Sequence, residues 1–249
     1  MRILVTNDDG IDSPGLAVLV RWASTVGDVV VAAPKEQQSG KSQSIELTKH
    51  IEVVKLNYEG ALEAYTIDST PSDCVRIALR GLNITCDLIF SGINLGWNMG
   101  ADINYSGTCG AIFEASFLGK KAIAFSCDVK TFAGAEQNLD RVYRYLLDNG
   151  LFQYNDIYNV NFPDKAKGIR ITRQGGHYYE DNFVLSDLKP GHYRADGFCV
   201  HDNQHNGEVD TDAVVDGYIS VTPLSLNRTS SSYYLLSYKE SEFTDPGKR

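Results

Sequence analysis

The sequence predicts an α/β fold built on a mostly parallel sheet with helices on both faces. Two observations carry this. Between residues 2 and 162, apolar stretches of strand length alternate with stretches of helical periodicity, the order that builds parallel βαβ units. Several strand candidates are continuously apolar, as in Asp28–Pro34 (DVVVAAP), which suits strands covered on both sides. Past residue 163 the pattern changes: a polar, tyrosine-rich stretch over 163–210 predicts a projecting hairpin or arm, with strand-like patterning returning at 217–224 and 232–237.

The elements follow in order. Arg2–Thr6 is a buried strand around Ile3, Leu4 and Val5. Ser13 caps a helix with Pro14 in its first turn, carried by Leu16, Val18, Leu19 and Trp22. Asp28–Pro34 is the second strand, and 46–56 and 64–67 read as extended. Thr70 stands three residues before Asp73, a capping pattern that opens a helix ending at Gly81. Residues 87–91 form a strand, 92–107 a glycine-rich loop, 108–118 a helix and 122–126 a strand. An amphipathic helix over 137–148 stops at Asn149-Gly150, and Ile157–Phe162 is again a strand.

Bulk properties narrow the function. The 249 residues suffice for one large domain with a substantial core. A hydrophobic content of 43% and a charged content of 22% exclude wholesale disorder. The net charge of −9 argues against non-specific partners such as nucleic acid or an anionic membrane. No apolar run has the length of a membrane span, and MRILVTNDDG is a strand entering a charged turn rather than a signal peptide. Five scattered cysteines without a CxxC pair read as reduced thiols and predict a cytoplasmic location.

Ligands in open α/β sheets bind at the carboxyl ends of strands, and four polar clusters fall there. Asn7-Asp8-Asp9-Gly10 follows the first strand; two adjacent carboxylates repel each other and suit a hard cation, although acidic turns also occur for local reasons. Gln38-Ser39-Gly40-Lys41-Ser42 imitates the end of a P-loop, but Lys35 stands where the first glycine belongs. What remains is a polar loop offering Ser39 as an oxygen ligand, or a plain surface loop. Ser91-Gly92-Ile93-Asn94, continued to Gly100, offers Asn94 as a neutral metal oxygen and Asn98 as a partner for substrate or water. It is not a GxGxxG fingerprint. Tyr105-Ser106-Gly107-Thr108 opens a helix, where exposed amides and hydroxyls bind anions and also cap the helix.

Other patterns fail. His201 and His205 have a metal-compatible spacing in too polar a setting for a helix. The stretch from Asp202 resembles an EF-hand loop, but Gln204 and Ala213 stand at its third and twelfth positions. No serine-histidine-aspartate motif is present to assemble.

Taken together, ILVTNDDGIDSPGL, VVVAAPKEQQSG, STPSDCVRIAL, DLIFSGINLGWNMG and YSGTCGAIFEASFLG resemble the SurE family of survival-protein nucleotidases, as do the later NVNFP and TDAVVDGYISVTPL. The resemblance runs in order to about residue 224. It implies a Rossmann-like core over 1–162, with a hairpin arm and C-terminal extension over 163–249, in one domain. It implies a metal-dependent phosphomonoesterase acting on nucleoside 5′- and 3′-monophosphates, with one divalent cation, Mg²⁺ or Mn²⁺, per subunit. The metal ligands map onto Asp8, Asp9, Ser39 and Asn94. Catalytic roles map onto Asp8, Asp9, Asn7 and Asn98, and phosphate contacts onto Ser106, Gly107 and Thr108. It also implies a homodimer or homotetramer with an exchanged C-terminal segment. Alternatives are exopolyphosphatase action on short polyphosphate and a non-catalytic nucleotide-sensing module. The chain departs from the family pattern at Ser69, Leu95, Cys109 and Ser116. Leu95 stands where a basic residue is common, which bears on nucleotide preference. The adjacency of Asp8 and Asp9 disfavours a DxDx[TV] nucleophile-and-acid pair; direct attack by water and a phospho-enzyme both remain open.

Overall fold

The computed structural model describes residues 1–188 and 190–229; the strand expected at 232–237 lies outside them. The chain runs β1 (Arg2–Thr6), α1 (Pro14–Ala23), β2 (Asp28–Pro34), β3 (Val53–Leu56), β4 (Glu63–Ile67), α2 (Pro71–Arg76), β5 (Leu88–Leu95), α3 (Gly107–Phe117), β6 (Lys121–Cys127), α4 (Ala133–Asp148) and β7 (Ile157–Phe162). There follow β8 (Ile169–Ile171), the short strands β9 (Tyr179–Glu180), β10 (Phe183–Leu185), β11 (Tyr193–Ala195) and β12 (Phe198–Cys199), then α5 (Asp210–Val215) and β13 (Ile219–Leu224).

One sheet dominates, in the order β3-β4-β2-β1-β5-β6-β7-β13-β8. Its pairings are parallel except β3 with β4 and β7 with β13. Alternation along each strand divides the core. Ile3, Val5, Phe90 and Phe125 face α1 and α4, where Trp22 lies against Phe90 at a centroid distance of 5.3 Å. Leu4, Val30 and Ile89 face the other way, onto Val75 of α2 and Ile112 of α3. From β1 the chain builds outward through β2 and β4, then crosses back to β5 on the other side. The loops after β1 and β5 therefore diverge and leave a crevice at the strands' carboxyl ends.

Capping holds as read. Ser13 Oγ accepts from Leu16 N at 3.2 Å, and Thr70 Oγ1 accepts from Asp73 N at 3.2 Å. After Arg76 the helix widens into a π-turn over Ile77–Gly81. Four elements differ from expectation. Only Val53–Leu56 of the extended stretch pairs, because Glu46 Oε1 folds its neighbours into a turn by accepting from Thr48 N, Thr48 Oγ1 and Lys49 N. The strand β5 continues through Leu95, with a register shift against β6 between Ser91 and Asn94. Gly92 sits there at φ +131°, and a Cβ on it would lie 2.3 Å from Phe125 O, so the strand passes only with glycine. The helix α4 starts four residues early, at Ala133, because small Gly134 packs on Pro163 O, a contact without apolar periodicity. The short helix α5 carries no periodic signal of its own.

The sheet does not stop at residue 162. Strand β13 pairs with β7 and β8, so the chain returns to the core after its excursion. That excursion is the arm: two small antiparallel pairs, β9 with β12 and β10 with β11, mostly exposed.

Candidate active site

The crevice holds a cavity of about 230 Å³ lined by residues from each of the strand-end clusters. Asp8 and Asp9 leave β1; Asp8 is buried and Asp9 half-buried. The carboxylate of Asp8 lies under the start of α3, where Thr108 Oγ1 donates to Asp8 Oδ1 at 2.6 Å. This approach needs Gly107: a Cβ there would sit 2.8 Å from Asp8 Cβ and 3.0 Å from Asp8 Oδ2. Ser106 begins the helix by accepting from Cys109 N at 3.0 Å.

Burial pushes the Asp8 carboxyl up to about 6; the Thr108 hydroxyl opposes the shift and the neighbouring charge of Asp9 adds to it. Burial also raises Asp9, against a hydrogen bond from Gln37. Two adjacent carboxylates that resist ionisation are a site in need of positive charge.

The second loop is tied to the first through its backbone, with Gln38 N donating to Asp8 O at 2.7 Å. Gln37 Nε2 donates to Ser39 Oγ at 2.9 Å and reaches Asp9 Oδ1 at 3.4 Å, bringing the hydroxyl beside the carboxylate. At the end of β5, Asn94 Nδ2 donates to Gly96 O at 2.7 Å, which leaves Oδ1 as the acceptor of a fixed amide. Asn98 is fixed on three sides. Its Nδ2 donates to Ser126 Oγ at 2.8 Å, its backbone N donates to Asn161 Oδ1 at 2.9 Å, and its carbonyl accepts from Asn159 at 2.7 Å and Asn161 at 2.9 Å.

Six expected residues thus line one cavity: Asp8, Asp9, Ser39, Asn94, Asn98 and Ser106. Gly107 and Thr108 stand behind Asp8. Asn7 stands behind the turn, 1% exposed, with Nδ2 donating to Gly10 O and to Ser13 Oγ at 2.9 Å each. Its Oδ1 is buried without a partner. Beside the two carboxylates the cavity offers the neutral oxygens of Ser39 and Asn94, and among the described residues no three His, Cys, Asp or Glu side chains converge. Two carboxylates with neutral oxygens fit a hard divalent cation and not a soft one. The two histidines face separate acids, His201 Nε2 at 2.8 Å from Asp212 Oδ1 and His205 Nδ1 at 2.8 Å from Asp216 Oδ1.

Sequence reasoning missed Gln37, Asp102, Asn159, Asn161 and Asp210, and named Tyr105 only as the first residue of the α3 cluster. Asn159 and Asn161 had a signal, since polar side chains recur in the otherwise apolar strand β7. Asp210 had none. Its buried carboxylate accepts from Gly100 N at 3.0 Å, Gly175 N at 2.7 Å and Thr211 N at 2.8 Å. Ala101 N donates to Gly176 O at 2.9 Å, and Gln174 Nε2 to Gly100 O at 3.0 Å. Gly100, at φ +58°, has Gly176 O at 2.1 Å from where a Cβ would be. The base of the arm therefore clamps the turn that carries Asp102 and Tyr105.

Fold and site together define a class: α/β proteins that set a carboxylate pair under a helix start, at the point where the strand order reverses. The family model for Survival protein SurE matches residues 3–181. Among curated relatives, "5′-nucleotidase SurE" of Erythrobacter litoralis is 38% identical, covering 93% of this chain and 96% of its own. That of Syntrophomonas wolfei is 36% identical, covering 98% and 95%. A solved structure, the SurE protein from Aquifex aeolicus, superposes with a TM-score of 0.78 at 32% identity, covering 95% of this chain and 98% of that one. The chain belongs to the SurE family.

Proposed function

We propose that this chain is a divalent-metal-dependent nucleotidase that hydrolyses nucleoside 5′- and 3′-monophosphates to nucleoside and phosphate. One observation carries the reading: Asp8 and Asp9, raised by burial, share a cavity with Ser39, Asn94 and the start of α3. Relatives over nearly the whole chain bear the name 5′-nucleotidase. Asp8, Asp9, Ser39 and Asn94 would hold one Mg²⁺ or Mn²⁺ per subunit. A cation held there would supply Lewis-acid polarisation of the phosphoryl group.

The remaining work falls to the chain's own groups. Thr108 orients Asp8 through the 2.6 Å hydrogen bond. Asp9, the more accessible carboxylate, orients the attacking water or takes its proton. Asn98, locked by Ser126, Asn159 and Asn161, presents its amide oxygen without reorganisation. Ser106 and Gly107 set the positive end of α3 toward the phosphate. Asn7 positions the turn from behind.

Asp8→Asn, saturated with Mg²⁺ or Mn²⁺, is expected to lose AMP hydrolysis by on the order of a thousandfold or more. Exhaustive chelation of the wild type is expected to abolish activity and Mn²⁺ to restore it. Wild-type turnover in either preparation contradicts the reading.

We read the chain as one domain, acting in the cytoplasm as its five unpaired thiols suit, and assembling as a homodimer or homotetramer with an exchanged C-terminal segment. Supporting assembly, Phe183, Leu185, Leu188 and Tyr193 of the arm are each more than half exposed. A strictly monomeric species in sedimentation contradicts it.

A further inference from the structure

The helix α3 makes a row of close contacts along one face. Gly107, Gly110 and Glu114 follow one another at spacings of three and four residues, which places them on the same side of the helix. Gly107 lies against the Asp8 side chain. Gly110 lies against the loop that carries Ser39: a Cβ there would be 2.2 Å from Ser42 O and 3.0 Å from Gln43 N. Glu114, 5% exposed, accepts from Gln43 Nε2 at 3.1 Å. One helix face therefore meets both the Asp8 turn and the Ser39 loop.

The loop is held from α2 as well. Asp73, buried near the start of that helix, accepts from Glu46 N at 2.7 Å and from Ser69 Oγ at 2.6 Å. Arg76 joins the two helices: its Nη1 donates to Asp73 Oδ1 at 3.0 Å, and its Nε lies 3.7 Å from Glu114 Oε1. One guanidinium thus pairs with both buried carboxylates and fixes the one that takes the Gln43 amide.

Ser42, next to Gln43, sits at φ +54°, a conformation that a residue with a side chain seldom keeps unless its surroundings fix it. Here they do. Ser42 N donates to Tyr105 O at 3.0 Å and Ser42 Oγ to Asn104 O at 2.7 Å, both just ahead of α3. Ser39 stands three residues earlier, between these ties and the bond from Gln38 N to Asp8 O.

Resting on the metal site of the nucleotidase reading, we infer that the Gln43–Glu114 pair, with Glu114 set by Arg76, positions Ser39 for the cation. Asp8 takes its place from Thr108 at the start of α3, and the Ser39 loop takes its place from Gly110 and Glu114 further along the same helix. A helix is stiff over such a length, so its spacing sets the separation of the Asp8 carboxylate and the Ser39 hydroxyl. A small hard cation holds its oxygens within a narrow range of distances, and an oxygen free to drift loses affinity for it. Gln43 and Glu114 do not line the cavity. They act on cation binding and not on bond breaking.

The test is calorimetric binding of Mn²⁺ to the chelator-stripped full chain, in wild type, Gln43→Ala, Ser39→Ala and the double variant. Gln43→Ala cuts the contact from its half-buried partner and spares the pairing of Arg76 with Asp73 and Glu114. It is expected to weaken Mn²⁺ binding roughly tenfold, the effect of losing one hydrogen bond to a charged group. At saturating Mn²⁺, kcat for AMP is expected to fall by less than about threefold. In the Ser39→Ala background, Gln43→Ala is expected to change the affinity by less than about twofold, since the oxygen it places is gone. Wild-type affinity in Gln43→Ala overturns the inference. So does a loss from Gln43→Ala that repeats in full on top of Ser39→Ala, because the pair then acts elsewhere than on Ser39. A wild type that takes up no Mn²⁺ brings down the nucleotidase reading, and the inference with it.

Discussion

The strand-end corner and the arm face each other across one cleft, and different physics holds them. The corner hangs from the carboxyl ends of β1, β2 and β5, strands covered on both faces. Its side chains are locked by short hydrogen bonds, buried between Thr108 and Asp8 and partly buried between Asn98 and Ser126. The arm has two short strand pairs, little buried apolar surface, and ion pairs in solvent such as Arg194 with Asp196 at 3.1 Å. Its base joins the corner through the buried carboxylate of Asp210 and the hydrogen bonds of Gln174 and Gly176 to the Gly100 turn. The proposed catalytic groups are thus built on the rigid sheet, and the arm is an attached lobe beside them.

Substitutions sharpen this contrast. Beyond the loss expected of Asp8→Asn, the largest effect is expected at the junction. Asp210→Ala leaves the amides of Gly100 and Gly175 without their acceptor and should cost about 2–4 kcal/mol in denaturant unfolding. It should also raise KM for AMP more than it lowers kcat, since it loosens the turn that carries Asp102 and Tyr105 and leaves the carboxylate pair in place. A kcat loss as large as that of Asp8→Asn would break the division between the regions.

A pH experiment probes the corner alone. In metal-free protein the Asp8 carboxyl titrates at about 6, above its ordinary value of 3.8. A raised acid favours the folded state while protonated, so its contribution is whole below about pH 4 and is lost as pH rises through about 6. The stability of Asp8→Asn relative to wild type, in EDTA, should therefore grow by ~3 kcal/mol between pH 4 and pH 7. A flat difference would show that Asp8 is not buried as charge.

Gly107→Ala tests the approach of α3. The added methyl meets Asp8 Cβ at 2.8 Å, so the helix start must back away. We expect a loss of about 1–2 kcal/mol in thermal unfolding and of roughly tenfold or more in kcat. The smallest effect belongs to the arm surface. Arg194→Ala removes an ion pair whose partners are both more than half exposed and should change stability by less than about 0.5 kcal/mol.

Much of this was legible in the residues. Ser13, Thr70 and Ser106 are short hydroxyl side chains before helical periodicity, and each caps the helix it precedes. Asp8, Asp9, Ser39, Asn94 and Asn98 all stand just beyond apolar runs, and the fold draws those strand ends together. Gln37 was hidden in a polar loop, where nothing distinguishes a glutamine that bridges Ser39 and Asp9 from one that faces water. Asn159 and Asn161 read as interruptions of a strand until their amides met the carbonyl of Asn98. The extent of β5 and the start of α4 depended on Gly92 and Gly134 fitting against carbonyls far along the chain.

The sequence by itself determined the strand–helix order, the caps and the acidic turn with its companion loops, because periodicity and capping act over a few residues. Only the tertiary structure decided that Thr108 would bind Asp8, a hundred residues away. It alone placed Asp210 across the Gly100 turn. Such contacts depend on strand order and on where glycine permits close approach, and neither leaves a periodic mark in the chain.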